Sequence, residues 1–134
     1  MRRSDPNFLA ITVPAHGDQL PWMRDRMQRW LSDQDIPPTM CADIVLAAHE
    51  ALTNSVEHAY RRRDAPGTMD LAIMADPDTV SFSVTDHGEW RNSIPEQDSP
   101  RGHGLPMIRA LAAQVDLVPT SHGTALTARF PRHD

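Results

Sequence analysis

Cysteine is almost absent from this chain: Cys41 is the single one among 134 residues, so no disulfide can form within it, and a reducing compartment, the cytoplasm, is the expected location. Long hydrophobic runs are missing as well. No stretch approaches the length of a membrane span, and the opening Met1-Arg-Arg-Ser-Asp-Pro6 has no apolar core of a signal peptide, so neither membrane insertion nor secretion is expected. Basic charge is scarce, with 13 Lys and Arg against 18 Asp and Glu for a net charge of -5. The one basic run, Arg61-Arg62-Arg63, suits the C-terminal end of a helix better than a nucleic-acid surface, which needs a broader positive patch.

Several catalytic signatures are also lacking. His49-Glu50 is followed at position 53 by Thr53 rather than histidine, so the zinc-protease helix is excluded, and the seven histidines show no ligand spacing on one face. There is no Gly-x-Ser-x-Gly elbow and no Cys/His pairing. Gly102-His-Gly104 has Met107 where a dinucleotide fingerprint has its third glycine, which removes the Rossmann reading. Internal repeats and low-complexity segments are absent.

What is present is one domain's worth of alternating patterns. A chain of this length buries on the order of two-thirds of its unfolded surface as one core. We expect a single domain over 1–134, with a core from about 8 to 131. Phe8 to Val13 is β-branched and stopped by Pro14, a strand. Leu20, Met23, Met27, Trp30 and Leu31 recur at spacings of three and four, which predicts an amphipathic helix over 18–35. Its apolar face is core by default and a partner surface as the alternative. After Ile36-Pro37-Pro38, Thr39 is the expected N-cap of a second helix reaching about Arg62.

Ala65-Pro66-Gly67 then turns the chain into two alternating runs, Met69/Leu71/Ile73 and Val80/Phe82/Val84, joined by Asp76-Pro77-Asp78 as a hairpin. Residues 89–101 are polar and aperiodic, a candidate lid of roughly a dozen residues. Pro106 suits the first turn of a third helix, which is followed by strands over 115–119 and 124–130. The order β-α-α-β-β-loop-α-β-β predicts an α+β fold, a two-layer sandwich with a mixed sheet and its helices on one face.

The second helix carries the first chemical signal. Glu50, Asn54 and His58 stand at i, i+4 and i+8, a polar stripe beside the apolar set Ile44, Val45, Ala48, Leu52, Val56 and Ala59. Such a stripe is either the solvated side of an amphipathic helix or a set aimed at a ligand. A carboxylate there can orient an attacking hydroxyl, and an amide oxygen can complete the shell of a Mg²⁺ whose other ligands are waters and phosphates. Three further segments bound the same reading. Asp86-His-Gly88 closes a strand, as an ordinary Asp-x-Gly turn or as an acceptor leaving the sheet. Arg101-Gly102-His103-Gly104-Leu105 opens a helix, where bare backbone N–H groups favour phosphate oxygens. Gly123-Thr124 opens the last strand.

Taken in order, Glu50 to Tyr60, Asp86-His-Gly88, Arg101 to Pro106 and His122-Gly123-Thr124 resemble the four nucleotide-binding boxes of the GHKL ATPases. Within that superfamily the form Glu-Ala-x-Thr-Asn-x-x-x-His-x-Tyr is similar to the small anti-sigma-factor serine kinases. The resemblance covers roughly residues 8 to 131 and implies the Bergerat fold, with ATP and Mg²⁺ as cofactors. It gives Glu50 the role of catalytic base and Asn54 that of Mg²⁺ ligand. Asp86 would select adenine with Gly88 beside it, and Arg101, Gly102, His103, Gly104 and Leu105 would surround the phosphates with Thr124 on the pocket floor.

As partners the resemblance implies a sigma factor, an anti-anti-sigma protein whose serine or threonine is phosphorylated, and a second copy in a homodimer, with no direct contact to nucleic acid or membrane. Two departures qualify it. Trp90 replaces the second glycine of the Asp-x-Gly-x-Gly box, which stiffens the start of the lid. The short lid and the length of the chain disfavour gyrase, chaperone and sensor-kinase roles. A non-catalytic module that sequesters a sigma factor or regulator is the alternative, and a domain of a larger phosphatase-kinase regulator is the third reading.

Overall fold

The structure, a computed structural model, describes residues 7–62, 67–86, 104–120 and 123–132. Its elements run β1 (Phe8–Pro14), a 3-10 turn (Gly17–Gln19), α1 (Leu20–Asp33), α2 (Pro38–Arg62), β2 (Thr68–Ala75), β3 (Thr79–Asp86), α3 (Gly104–Leu111), β4 (Gln114–Thr120) and β5 (Gly123–Pro131). The order expected from the sequence is the order observed, and the α+β class holds.

Five strands form one sheet in the order β1-β2-β3-β5-β4. Strand alternation splits each strand into two rows. The inner rows, Leu9/Ile11/Val13, Met69/Leu71/Ile73/Ala75, Val80/Phe82/Val84 and Leu126/Ala128/Phe130, are buried with Met23, Met27 and Leu31 of α1, Ile44, Ala48 and Leu52 of α2, and Ile108 of α3 in one cluster. The helices therefore cover one face. Phe82 and Phe130 stack across β3 and β5 with ring centroids 6.1 Å apart and anchor the centre of that layer.

The sheet is not mixed, contrary to expectation: every adjacent pair is antiparallel. β3 and β4, joined through α3, do run the same way. β5, however, turns back from β4 and inserts between them, so the parallel strands are never neighbours.

Local chemistry sets the helix ends. The α1 C-terminus closes on Asp35, whose φ of 62° is left-handed, and the next N–H, that of Ile36, reaches back to the Leu31 carbonyl at 3.3 Å. Asparagine and aspartate tolerate this conformation better than other non-glycine residues. Ile36 is itself buried, which supplies the apolar contact such a cap favours. For α2 the expected cap at Thr39 is corrected. The helix begins at Pro38, and the Pro37 carbonyl accepts the Cys41 N–H at 2.9 Å, so Pro37 caps and Thr39 lies inside the first turn. Pro38 explains the shift, because its fixed φ is preorganised for the first helical position, where a missing N–H costs nothing. Cys41 is a buried small hydrophobe whose thiol donates to the Ile36 carbonyl at 3.3 Å. Arg132, just past β5, donates to the carbonyls of Asp76 at 2.9 Å and Gln34 at 3.2 Å, tying the last strand to the hairpin turn and to the end of α1.

Candidate functional site

The inner row of β3 reads Val80, Phe82, Val84, Asp86, and that of β5 reads Thr124, Leu126, Ala128, Phe130. The period-2 alternation that buries an aliphatic or aromatic residue at three positions buries a carboxylate or a hydroxyl at the fourth. Asp86 and Thr124 are 6% and 5% exposed, and they are register partners across the β3–β5 ladder. On the far side Asp86 is in register with Met69 of β2, which is fully buried, so the polar pair sits against an apolar wall. Burying such groups costs free energy unless something is bonded to them. Among the described residues the Thr124 hydroxyl has no hydrogen-bond partner.

Helix α2 packs on β3 and β2 and is flanked by α1 and α3. Its buried side is Ile44, Ala47, Ala48, Ala51, Leu52 and Ser55, and the Ser55 hydroxyl donates back to the Ala51 carbonyl at 3.4 Å. Glu50 and Asn54 lie one turn apart at the margin of that side, half-buried rather than immersed in solvent. Thr53 turns its hydroxyl onto the His49 carbonyl at 2.8 Å, so it is engaged within the helix. Leu105, half-buried at the start of α3, packs on the core beside Ile108, and Gly104 is the first residue of that helix.

The structure thus gathers Asp86 and Thr124 at one end of the sheet and holds Glu50 and Asn54 on the helix packed over β3. Gly88, Trp90, Arg101, Gly102, His103, the side chains of His58 and of the Arg61–Arg63 run, and the expected lid over 89–101 lie outside the described residues. Sequence reading missed Met69 as the wall beside Asp86. Counting the hairpin register outward from Asp76-Pro77-Asp78 finds it, since Ala75 opposite Val80 sets Met69 opposite Asp86.

An adenine nucleotide passes the test of fit. Among the described residues the buried Thr124 hydroxyl has no hydrogen-bond partner and the buried Asp86 carboxylate is its register neighbour, a polar pair that suits a polar heterocycle. Among the described residues no group of three or more His, Cys, Asp or Glu is placed to hold a metal. A Mg²⁺ that keeps its waters and phosphate ligands needs only one or two protein oxygens, such as a single amide oxygen on α2 would offer. No helix among the described residues is long and apolar enough to cross a membrane.

Fold and site together define a class: a two-layer α+β domain that ends two apolar rows of its sheet in polar groups, with an acid and an amide on the helix above. Comparison with family models matches residues 13–130 to the histidine kinase-like ATPase domain. The chain belongs to that family. It is 29% identical over 148 residues to the serine-protein kinase RsbW of Halalkalibacterium halodurans, an alignment covering 100% of this chain and 90% of that one. A shorter stretch, 62% of this chain, is 37% identical to the polyribonucleotide nucleotidyltransferase of Streptococcus equi subsp. zooepidemicus, but spans only 12% of that protein. Among solved structures, that of the RsbU and RsbW domains of Rv1364c from Mycobacterium tuberculosis superposes with a TM-score of 0.73 at 27% identity, covering 92% of this chain and 32% of that one. The resemblance to the GHKL superfamily, and within it to the anti-sigma serine kinases, is borne out.

Proposed function

We propose that the chain, acting as one domain, is an ATP·Mg²⁺-dependent protein serine/threonine kinase and anti-sigma factor. It holds a sigma factor and phosphorylates an anti-anti-sigma partner, in the cytoplasm and as a homodimer. The observation that carries this reading is the Asp86–Thr124 pair, buried in register at the end of the sheet, with the threonine hydroxyl lacking a partner among the described residues. The whole-length similarity to RsbW supports the choice of protein substrate.

In this reading Asp86 accepts a hydrogen bond from the exocyclic amino group of adenine, a position where guanine presents a carbonyl, and the Thr124 hydroxyl bonds the same base. Asn54 holds the metal through its amide oxygen. Arg101 and the backbone N–H groups of Gly102, His103, Gly104 and Leu105 take the phosphate oxygens, while Gly88 lets the nucleotide approach the end of β3. Bound there, ATP·Mg²⁺ would supply the transferable phosphoryl group. Glu50 orients the partner's serine or threonine hydroxyl and takes its proton. Catalysis is then positioning and charge stabilisation, as phosphoryl transfer requires.

The test is incubation of the purified chain with labelled ATP and candidate anti-anti-sigma proteins. Label on a partner serine or threonine supports the kinase reading. A stable complex without label assigns the chain instead to a sequestering module.

A further inference from the structure

Helix α2 has a direction with respect to the site. Arg132 ties the Asp76 carbonyl of the hairpin turn to the Gln34 carbonyl at the end of α1, so Pro38 starts α2 at the hairpin end of the sheet. From there the helix runs over β3 toward the end that holds Asp86 and Thr124. Asn54 is therefore the nearer of its two polar residues to the buried pair, and Glu50 stands one turn, about 6 Å, further back. The same stripe continues one turn beyond Glu50. Leu46 lies four residues before it, so the two side chains are neighbours on one helix face. Glu50 and Asn54 are half-buried, but Leu46 is 44% exposed, and among the described residues it is the one large apolar side chain of α2 left open. A single exposed leucine is ordinary on any surface. Its place gives it meaning.

Phosphoryl transfer fixes the side from which an acceptor enters, because the attacking and leaving oxygens stand roughly in line on opposite sides of the phosphorus. With adenine at Asp86 and the metal at Asn54, the leaving ADP lies toward the Asp86–Thr124 end. The hydroxyl that Glu50 orients then arrives from the Leu46 side. We propose that Leu46 is a specificity-determining contact for the protein substrate, seating an apolar side chain two positions from the phosphorylated serine or threonine in an extended segment of the partner. The spacing agrees: in extended chain, side chains two positions apart point the same way and stand about 6–7 Å apart, close to the one-turn rise from Glu50 to Leu46. Leu46 selects the acceptor segment and takes no part in moving the proton. This rests on the kinase function proposed above and adds to it the acceptor's side of approach and the chemistry of its flanking sequence.

The test uses the full chain, labelled ATP and the anti-anti-sigma protein that becomes labelled in the assay above. Leu46→Gln keeps much of the side chain's length and removes its apolar character, and ATP titration reports that the fold survives. It should raise KM for the partner about five- to tenfold while kcat holds, since a contact made equally in the bound state and the transition state moves KM alone. Glu50→Ala has the contrasting signature, a loss of kcat. A photoreactive p-benzoylphenylalanine in place of Leu46 should crosslink to the partner within about two residues of the phosphorylated hydroxyl. An unchanged KM in Leu46→Gln, a fall in kcat at constant KM, or crosslinks that map away from that hydroxyl overturn the docking contact and leave the kinase function standing. If Leu46→Gln fails to fold, the crosslinked position decides. A wild-type chain that labels no partner overturns the kinase function and the docking contact together.

Discussion

Asp86 and Thr124 face one another across the β3–β5 ladder, each the polar end of an otherwise apolar buried row. A sheet that needed only stability would place valine or leucine at both positions. The pair therefore separates the demands of folding from those of binding, and substitutions there should move the two in different directions.

Asp86→Asn keeps the shape of the side chain but replaces a charged acceptor with an amide. ATP and ADP affinity should fall by about 1.5–3 kcal/mol, roughly ten- to a hundredfold, the worth of a hydrogen bond to a charged group. Calorimetric titration checks it. Undiminished affinity in a folded variant would remove Asp86 from base recognition.

Thr124→Val deletes a hydroxyl that has no hydrogen-bond partner among the described residues. The nucleotide-free protein should become more stable by about 1 kcal/mol, because an unsatisfied buried hydroxyl is exchanged for a methyl group. Nucleotide affinity should fall. Opposite signs in denaturant unfolding and in titration are the expected result, and a loss of stability without ligand would instead assign the hydroxyl a structural bond.

Glu50→Ala should leave nucleotide binding within a few-fold while lowering phosphoryl transfer by about 10²- to 10⁴-fold or more, the usual contribution of a positioned base. Glu50 is half-buried on α2 rather than part of the core, so the fold should tolerate the change. Transfer of label at the wild-type rate would sink the role.

Asn54→Ala should make ATP affinity insensitive to Mg²⁺, the titrations with and without the metal converging, while ADP binding without metal stays near wild type. Retained Mg²⁺ dependence would place the cation elsewhere.

Burial pushes the Cys41 thiol above its ordinary range. The unfolded chain loses that proton first as pH rises. The contribution to stability is therefore complete below the unfolded thiol's pKa and declines as pH climbs through it toward the folded value. Unfolding followed across the alkaline range should show this decline in the wild type and not in Cys41→Ala. Alkylation of the native protein should be slow until it unfolds.

Element order, the apolar faces of α1 and α2 and the β2–β3 hairpin were legible because each is written in local periodicity. The sheet's pairing was not, since the insertion of β5 between β3 and β4 is a long-range choice that no window of sequence contains. Thr39 looked like a cap because its side chain is right for one. Pro38 started the helix a position earlier, a backbone constraint outweighing a side-chain preference. At the site, Glu50, Asn54 and Asp86 announced themselves as polar residues in apolar patterns. That the Thr124 hydroxyl is buried without a partner among the described residues depends on β3 lying alongside, and the dipeptide Gly123-Thr124 carries no trace of it.

β5 is the last strand in sequence yet lies inside the sheet, bonded to β3 on one side and β4 on the other. During synthesis β4 emerges with no neighbour to pair with, and β3 waits with one edge open, until residue 131 has left the ribosome. Arg132 then fastens the hairpin turn and the end of α1 in the same event. A nascent chain stalled before that point holds α1, α2 and the hairpin over an unfinished layer with β3 and β4 both available to strangers, the exposure that chaperones exist to cover. The step that closes this sheet is thus the insertion of residues 123–131 between two strands already made.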